Sequence, residues 1–303
     1  MELRQLRYFV AVAKSGNFSR AAEQCHVSQP SLSQQIHKLE DELGERLFDR
    51  LPRQAKLTAA GQAFLQHAQR VLAELDAAQR EAHDTRGLPH GVVTVGVLPT
   101  IAPYLLPNVI ASFGAAFPSV EVIVQEDTTA QLLKLGCDGE LDLLIASPPI
   151  RDERFAKEIL FGEELLLVTP VGHRLAKQKK IRLADLEREH FILMREGHCL
   201  GDQVLDFCHR RDFHPLVSGR STQIETILAL VQAGLGISLV PAMALTRGCA
   251  ASLLFRSLEN PRPKRSITVF WPLSSSLSRA AKEFLNHLRE AAKALQKQNT
   301  PKR

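Results

Sequence analysis

Residues 26–44 read HVSQPSLSQQIHKLEDELG, and this stretch decides the fold of the N-terminal region. Ser28 stands where a side chain can cap a helix, Pro30 fits the first turn, and Gly44 can end the helix. Apolar residues recur on one face at helical spacing: Leu32, Ile36, Leu39 and Leu43. The stretch therefore predicts one amphipathic helix with a buried stripe.

The polar face of this helix has the chemistry of a DNA-reading surface. Gln and Ser side chains can both donate and accept hydrogen bonds, which suits base edges in a major groove. Two shorter helices predicted upstream would complete a helix-turn-helix. A small helical bundle with a solvated polar face is the alternative. The candidate DNA-contact residues on this helix are Ser28, Gln29, Pro30, Ser31, Ser33, Gln34 and Lys38.

Residues 47–57, LFDRLPRQAKL, follow directly and predict a hairpin. Arg50, Arg53 and Lys56 would stand near its tip, where cations can hold phosphates without reading sequence. The hairpin is therefore interpreted as a wing, and Arg50 and Arg53 join the candidate DNA contacts.

A long helix is predicted next, because residues 62–86 contain neither Gly nor Pro. Its apolar positions recur in steps of three and four: Gly61, Phe64, Ala68, Val71, Leu75, Ala78 and Ala82. Such a seam is typical of a two-stranded coil that pairs two reading heads. The alternative is a single helix packed on its own domain. Residues 87–91, GLPHG, form a plausible hinge.

The composition gives limited information about the class of protein. The chain has 303 residues and a net charge of +5, which favours an anionic partner such as nucleic acid. Neither a signal peptide nor a membrane span is recognisable, so a cytoplasmic protein is expected. Five scattered cysteines in that compartment argue against a structural disulfide framework.

From residue 92 onward, short apolar strands alternate with helices, which predicts parallel sheets. Ligands in such folds bind at the carboxyl ends of strands, beside helix N-termini. Thr100 and Thr129 lie at two such strand ends, and His198 and Cys199 precede a helix. These segments are expected to meet at one polar pocket.

Residues 195–208, REGHCLGDQVLDFC, contain the cysteine pair that most needs explaining. If residues 199–208 are helical, nine steps of about 1.5 Å separate their Cα atoms by roughly 13 Å. A disulfide tolerates at most about 7 Å, so Cys199 and Cys208 cannot join unless the helix unwinds. Helix N-terminal N–H groups and a cation, Arg265 or protonated His198, would favour a Cys199 thiolate.

Other uses of the cysteines are less well supported. The spacing of this pair does not suit zinc, and a base immediately beside its nucleophile argues against a hydrolase. No metal or cofactor is expected. The remaining cysteines are interpreted as packing residues: Cys25, Cys137 and Cys249.

The first sixty residues strongly resemble the N-terminal domain of LysR-type transcriptional regulators. The resemblance rests on LRQLRYFVAVAKSGNFSRAAEQCHVSQPSLSQQIHKLEDELGERLFDR, followed by KLTAAGQAF. It implies an N-terminal all-α winged helix-turn-helix with a linker helix, plus a C-terminal α/β effector domain. That domain would have two Rossmann-like lobes, as in periplasmic binding proteins. The expected divisions are 1–58 for the DNA-binding domain, 59–90 for the linker and 91–303 for the effector domain. Lobe I would comprise 91–162 and 268–303, and lobe II 163–267.

GHCLGDQVLDFC also resembles the peroxide-sensing segment of the OxyR-like branch of that family, as do LPTIAPYLLP, CHVSQP and KLEDELG. The resemblance implies that Cys199 is the peroxidatic thiol and that Cys208 resolves it as a disulfide. It implies that peroxide is oriented by four residues: Thr100, Thr129, His198 and Asp202. Gly201 replaces the arginine usual in the motif, which removes a charge and weakens the helix by roughly 1 kcal/mol.

The expected protein is therefore a peroxide-responsive, DNA-binding transcriptional regulator rather than an enzyme. Its expected partners are double-stranded promoter DNA, a second copy of the chain in a dimer or tetramer, and hydrogen peroxide; RNA polymerase is a candidate partner and no membrane is involved. Two alternatives stay open. A small organic anion could bind the cleft with Cys199 incidental, or a thiol-dependent enzyme could be fused to a DNA-binding domain.

Overall fold

The structure of the chain is a computed structural model, which describes residues 1–51, 54–83, 89–195, 197, 199–245, 252–273 and 276–299. A small head is followed by one long helix and then by a larger α/β region. No helix within these residues is both long and apolar enough to cross a bilayer.

The head is a winged helix-turn-helix, as the sequence predicted. Its strands β1 and β2 form an antiparallel hairpin in which Phe48 pairs with Leu57. The elements of the head and the linker are α1 (Leu3–Ser15), α2 (Phe18–Gln24), α3 (Gln29–Leu43), β1 (Phe48–Leu51), β2 (Gln54–Leu57) and α4 (Ala59–His83).

Helix α3 has the predicted ends. The Ser28 hydroxyl accepts a hydrogen bond from the Ser31 N–H at 3.4 Å, and Pro30 lies in the first turn. Gly44 ends the helix with φ of +71°, a conformation that favours glycine. The buried stripe is shorter than predicted, because Leu43 is 38% exposed. Its fully buried members are Leu32, Ile36 and Leu39.

An aromatic cluster and one buried carboxylate hold the head together. The Phe9 ring lies 5.3 Å from that of Phe48 on the wing and 5.2 Å from that of Phe64 on α4. The buried Glu40 of α3 accepts hydrogen bonds from the N–H groups of Leu47 and Phe48. These contacts fix the wing relative to α3.

Helix α4 begins three residues earlier than predicted and is described to His83; residues 84–88 of the predicted helix and hinge lie outside the described residues. Part of its apolar seam packs on the chain's own head. A Cβ on Gly61 would lie 2.1 Å from the Leu47 carbonyl oxygen, and Ala68 is buried in the head core. Val71 is 46% exposed further along α4. Pairing of two such helices stays a prediction.

The α/β region contains the strands that were predicted and two that were not, β8 and β10. Its elements are β3 (Gly91–Val97), α5 (Ala102–Ala116), β4 (Val120–Glu126), α6 (Thr129–Cys137), β5 (Leu143–Ala146), β6 (Phe155–Pro170), β7 (His190–Met194), α7 (Cys199–His209), β8 (Leu216–Ser221), α8 (Ile224–Gln232), β9 (Ser238–Pro241), β10 (Leu253–Arg256), β11 (Lys264–Pro272) and α9 (Arg279–Asn299).

The prediction of parallel sheets is confirmed only in part, because the sheets are mixed. Strand β3 pairs in parallel with β4 and β5, and β7 pairs in parallel with β8. However, β11 runs antiparallel to both β5 and β6, and β9 and β10 run antiparallel to the second half of β6. The physical reason is the sixteen-residue β6, which passes from one lobe to the other while β11 returns alongside it.

Two separate cores follow from this path. One comprises β3, β4, β5, α5, α6 and α9 with the first half of β6 and β11; the other comprises the second half of β6 with β7, α7, α8, β9 and β10. We call them lobe I and lobe II. The two-lobed fold is as expected, whereas the residue numbers of the domain boundaries given above stay predictions.

Candidate functional site

The candidate DNA-reading face is presented by α3. Most of the predicted contacts on this helix are exposed, Ser33 is half-buried, and the Ser28 hydroxyl serves as the helix cap. The exposed members are Gln29, Pro30, Ser31, Gln34 and Lys38. This exposure on the face opposite the buried stripe leaves their hydrogen-bonding groups available to a groove.

The wing can be described only in part. Arg53 and the side chain of Arg50 lie outside the described residues. Lys56 on β2 is exposed. It is therefore the one predicted cation of the wing whose position the described residues define.

The second site lies where the first turn of α7 approaches lobe I. Cys199 is the first residue of α7 and packs against the core of lobe I, although its helix belongs to lobe II. A cavity of about 410 Å³ opens beside the thiol. Its lining comprises Thr129, Ala130, Leu133, Ser147, Pro149, Ile150, Arg151, Asp152, Gly197, Cys199, Asp202, Gln203 and Asp206.

The electrostatic environment of Cys199 is mixed. Burial raises the pKa of the Cys199 thiol above its ordinary value. The Arg265 charge lowers this pKa, as do interactions with the Thr129 hydroxyl and the Leu200 N–H, whereas Asp202 raises it. The sequence reasoning named Arg265 as one of two possible cations, and the structure brings it close enough to act on the thiol.

Arg265 is held in a fully buried network. Its Nε lies 2.7 Å from the Glu163 carboxylate, and neither side chain is exposed to solvent. Its two terminal nitrogens each donate at 3.0 Å to Thr100, one to the hydroxyl and one to the carbonyl oxygen. The other Glu163 oxygen accepts from the Met243 N–H at 3.0 Å. Because these groups come from both lobes, the network fixes Arg265 at the lobe junction.

Gln203 is a site residue to which the sequence reasoning gave no role. It lies four residues after Cys199, so both side chains project from one face of α7. Its Nε2 donates to the Ser147 hydroxyl at 2.8 Å and to the Pro148 carbonyl oxygen, which joins α7 to lobe I. The Pro148 carbonyl requires a donor, which fixes the amide orientation. The four-residue spacing from Cys199 was the feature of the sequence that could have indicated a role for Gln203 in the site.

Two buried polar atoms at this cavity lack a hydrogen bond of standard geometry among the described residues. They are Oε1 of Gln203 and Oγ1 of Thr129. The Thr129 hydroxyl still lies near enough to Cys199 to lower the pKa of the thiol. Buried oxygens without partners are costly, so both suit a small ligand that donates hydrogen bonds.

Cys208 has a very different environment from Cys199. It is fully buried in the core of lobe II, and burial raises the pKa of its thiol to about 11. Both cysteines lie on α7, so the helix holds their Cα atoms roughly 13 Å apart at about 1.5 Å per residue. Both are free thiols in this structure. The predicted continuous helix between the two cysteines is therefore confirmed.

The predicted pocket residues occupy different positions. Thr129 and Asp202 line the cavity, whereas the buried Thr100 contacts Arg265 and is not part of the lining. His198 lies outside the described residues. Cys25 and Cys137 pack against hydrophobic cores as predicted, and Cys249 lies outside the described residues.

Among the residues that the structure describes, no cluster of three or more His, Cys, Asp or Glu side chains could hold a metal ion.

A winged helix-turn-helix head joined by a long helix to a two-lobed domain with a cleft is an architecture typical of transcription regulators. Residues 3–62 match the bacterial regulatory helix-turn-helix protein of the lysR family, and residues 86–293 match the LysR substrate binding domain. The chain belongs to the LysR family of DNA-binding transcription regulators, and it is similar to the OxyR-like members.

Similar proteins align with this chain over nearly their whole length, and their names differ. A hydrogen peroxide-inducible genes activator of Dickeya chrysanthemi is 35% identical over 291 residues, covering 96% of this chain and 95% of the relative. The DNA-binding transcriptional dual regulator OxyR of Escherichia coli K12 is 36% identical over 278 residues, 91% of each. The transcriptional dual regulator GltC of Bacillus subtilis is 34% identical over 285 residues, 94% of this chain and 95% of the relative.

Solved structures support the same fold. Full-length OxyR C199D from Pseudomonas aeruginosa superposes with a TM-score of 0.80 at 31% identity, covering 97% of this chain and 95% of that one. CbnR, a LysR family regulator solved in complex with its target DNA, superposes with a TM-score of 0.65 at 28% identity. The match covers 96% of this chain and 100% of the CbnR chain.

Proposed function

We propose that this protein is a transcription regulator whose state is set by hydrogen peroxide through oxidation of Cys199. The observation that carries the proposal is the environment of Cys199: a half-buried thiol beside a polar cavity, near a fixed cation, on the same helix as a second thiol. The relatives named as activators of hydrogen peroxide-inducible genes also support the proposal.

The first step is the oxidation of Cys199 by peroxide. The thiolate sulfur attacks one oxygen of hydrogen peroxide, so that an S–O bond forms and the O–O bond breaks. The product is a sulfenic acid, and the leaving hydroxide takes up a proton to become water. Arg265 favours the thiolate that this step needs, because its charge lowers the pKa of Cys199.

Three side chains that line the cavity are proposed to hold the peroxide for this step. The orphaned oxygens of Thr129 and Gln203 can accept hydrogen bonds from the two O–H groups of peroxide. Asp202 lines the same cavity. Thr100 acts one contact further away, because it orients Arg265 rather than the oxidant. A direct role for His198 stays a prediction.

The second step joins the two cysteines. Cys208 attacks the sulfenic sulfur, an S–S bond forms, and the S–O bond breaks with release of water. The Cα atoms must approach from roughly 13 Å to within about 7 Å, so α7 must unwind. Unwinding would withdraw Gln203 from Ser147 and Pro148 and thereby release one connection between the lobes. The redox state thus becomes a change in lobe geometry.

The output of this change is the binding of promoter DNA by paired heads. Two copies joined through α4 would present two α3 helices to two half-sites, and a tetramer would present four. Side chains at the N-terminal part of α3, including Ser33 and Gln34, are proposed to read bases. Lys38, Arg50, Arg53 and Lys56 are proposed to contact phosphates. Contact with RNA polymerase stays a prediction.

Disulfide mapping tests the proposal most directly. Reduced protein is treated with stoichiometric hydrogen peroxide and the cysteine-containing peptides are analysed by mass spectrometry. We expect a Cys199–Cys208 disulfide as the main product, and a trapped sulfenic acid at Cys199 in the Cys208→Ser variant. If Cys199 stays reduced while other cysteines oxidise, the peroxide mechanism is wrong.

A second candidate function is a response to a small organic anion without redox switching. The cavity of about 410 Å³ is far larger than peroxide requires, and GltC has a name that mentions no oxidant. Under this alternative, Cys199→Ser would leave the effector response intact. Sustained turnover of a substrate at Cys199 would instead indicate a thiol-dependent enzyme.

A further inference from the structure

Helix α6 contacts two functional regions at its opposite ends. At its N-terminus, Thr129 lies beside Cys199 and lines the thiol cavity. Its C-terminus and the following turn, residues 137–140, face the head and linker of the same chain. One nine-residue helix therefore spans the distance from the thiol to the DNA-binding head, about 12 Å at 1.5 Å per residue.

The contacts at the C-terminal end of α6 are specific. Lys14 at the end of α1 forms an ion pair of 2.8 Å with Glu140. Gly139 has φ of +75°, and a Cβ placed on it would lie 2.7 Å from the Cβ of Ala73 on α4. Burial raises the pKa values of both Cys137 and Asp138, and the Arg70 charge on α4 opposes part of this rise. We call Lys14, Ala73, Gly139 and Glu140 the head contact.

A polar cavity of about 550 Å³ lies beside the head contact. It shares three lining residues with the thiol cavity: Ala130, Leu133 and Asp152. Gln69 is only 8% exposed and lines this cavity, yet its Oε1 has no hydrogen-bond partner among the described residues. The Nε of the neighbouring Arg70 likewise has no hydrogen-bond partner among them. An interface with orphaned polar groups and one half-exposed ion pair is weakly held and can separate at little cost.

We propose that α6 transmits the state of Cys199 to the DNA-binding head of the same chain through the head contact. This inference rests on the proposed peroxide function and adds the route by which oxidation reaches the DNA. When α7 unwinds, the contact between Thr129 and Cys199 is lost and α6 shifts as a rigid body. The shift changes the head contact and therefore the position of α1 and α4 relative to lobe I.

Charge reversal at the ion pair tests the route. The measured quantity is the ratio of DNA affinities of the oxidised and reduced full-length protein, by fluorescence anisotropy. The probe is a duplex selected from a random-sequence pool by the reduced wild-type protein. We expect Lys14→Glu and Glu140→Lys each to change this ratio by about twofold to fivefold, the range of an exposed ion pair. The double variant, with the pair restored in reverse, should return to the wild-type ratio.

A steric variant keeps the test independent of charge. Ala73→Leu places bulk against Gly139 without altering the conformation of that residue, and Ala115→Leu is the matched control at an exposed position of α5. Alkylation of Cys137 by N-ethylmaleimide reports the opening of the neighbouring cavity, which this thiol lines. We expect Ala73→Leu to speed alkylation several-fold in the reduced protein and to reduce the affinity difference between redox states; Ala115→Leu should do neither.

The outcomes separate this inference from the proposed function. All variants should still form the Cys199–Cys208 disulfide, since none touches the thiol cavity. If disulfide formation is normal but every variant keeps the wild-type affinity ratio and Cys137 alkylation rate, the α6 route is wrong and the peroxide function stands. If Cys199 of the wild-type protein does not oxidise, both fail.

Discussion

The two ends of α7 place chemically identical thiols in opposite environments. Cys199 in the first turn lies at the lobe junction, beside a polar cavity and within the influence of Arg265. Cys208 in the last turn is fully buried among apolar side chains, and this burial raises the pKa of its thiol to about 11. The order of the two steps follows from this difference. In the proposed mechanism, the oxidant therefore reaches the first thiol, and the second thiol reacts only after its helix has opened.

The same comparison explains why the helix is needed. A disulfide between neighbours could form without any change in fold, and its formation would carry no signal. Here about 13 Å of helix separates the two Cα atoms, so the proposed second step would require the loss of backbone hydrogen bonds. Under the proposed mechanism, the helix would convert a change in sulfur oxidation state into a change in the shape of the protein.

The largest effect is expected when the reactive end is removed. Cys199→Ser should abolish the peroxide-dependent change in DNA affinity, because serine is not oxidised under these conditions. Cys25→Ser is the matched control at a packing position of the head, in the lining of neither cavity, and should keep the response. The measurement is DNA affinity by anisotropy before and after peroxide treatment. A persistent response in Cys199→Ser would mean that another group senses the oxidant.

A large effect on stability is expected when Arg265, the cation near Cys199, is replaced. Arg265→Met leaves Glu163 buried without its ionic partner, which should lower the free energy of unfolding by about 3–5 kcal/mol. It should also slow Cys199 oxidation, because the charge that lowers the pKa of the thiol is lost. Denaturant unfolding and stopped-flow oxidation measure the two effects.

The double variant Arg265→Met/Glu163→Leu separates stability from reactivity. Replacing both partners by apolar side chains should recover much of the stability, because no buried charge is left unpaired. Oxidation should remain slow, since the cation is still absent. Recovery of a wild-type oxidation rate would show that Arg265 acts through folding alone.

The burial of Cys208 at the other end of α7 should affect the pH dependence of the free energy of unfolding. The folded state keeps Cys208 protonated up to a pKa of about 11, whereas an exposed thiol in the unfolded chain loses its proton near 9. Stability from this group is therefore complete below pH 9 and falls as the pH rises from 9 to 11, by at most about 3 kcal/mol. Denaturant unfolding of the wild type and of Cys208→Ala across this range measures it. Equal slopes in both proteins would contradict the assigned environment.

The sequence predicted local structure better than the junctions between elements. The caps and buried stripe of α3 and the continuity of α7 could be predicted because they depend on spacing along one helix. The antiparallel β11 and the long β6 could not, since they depend on how distant segments pair. Strand β8 has mostly exposed residues and therefore no apolar alternation to detect.

The residues of the candidate site also differ in how far the sequence could predict them. Cys199, Cys208 and Thr129 were found from local motifs and from the strand and helix ends on which they lie. The contact of Gln203 with Ser147 joins residues 56 positions apart, and that of Arg265 with Thr100 joins residues 165 positions apart. Such contacts are set by tertiary packing of the two lobes, so no spacing in the sequence signals them.

The smallest effect is expected at Gly201, where the chain departs from the related motif. A Cβ on this buried residue would lie 2.8 Å from the Met194 carbonyl oxygen, so Gly201 allows the first turn of α7 to pack closely on β7. Gly201→Ala should lower the free energy of unfolding by about 1 kcal/mol, because overpacking outweighs the gain in helix propensity. Gly114→Ala on α5, with nothing within 4 Å of its new Cβ, should instead gain about 0.5–1 kcal/mol.

The same pair of variants bears on the reactive end of α7. A first turn displaced from β7 is easier to unwind, so Gly201→Ala should form the disulfide at a lower peroxide concentration than the wild type. Gly114→Ala should not change that concentration, because α5 gains stability without touching α7. Denaturant unfolding and disulfide mapping over a peroxide titration measure both quantities. If Gly201→Ala stabilises the protein as much as Gly114→Ala does, the close approach to Met194 does not constrain this turn, and the glycine acts only through the charge that it replaces.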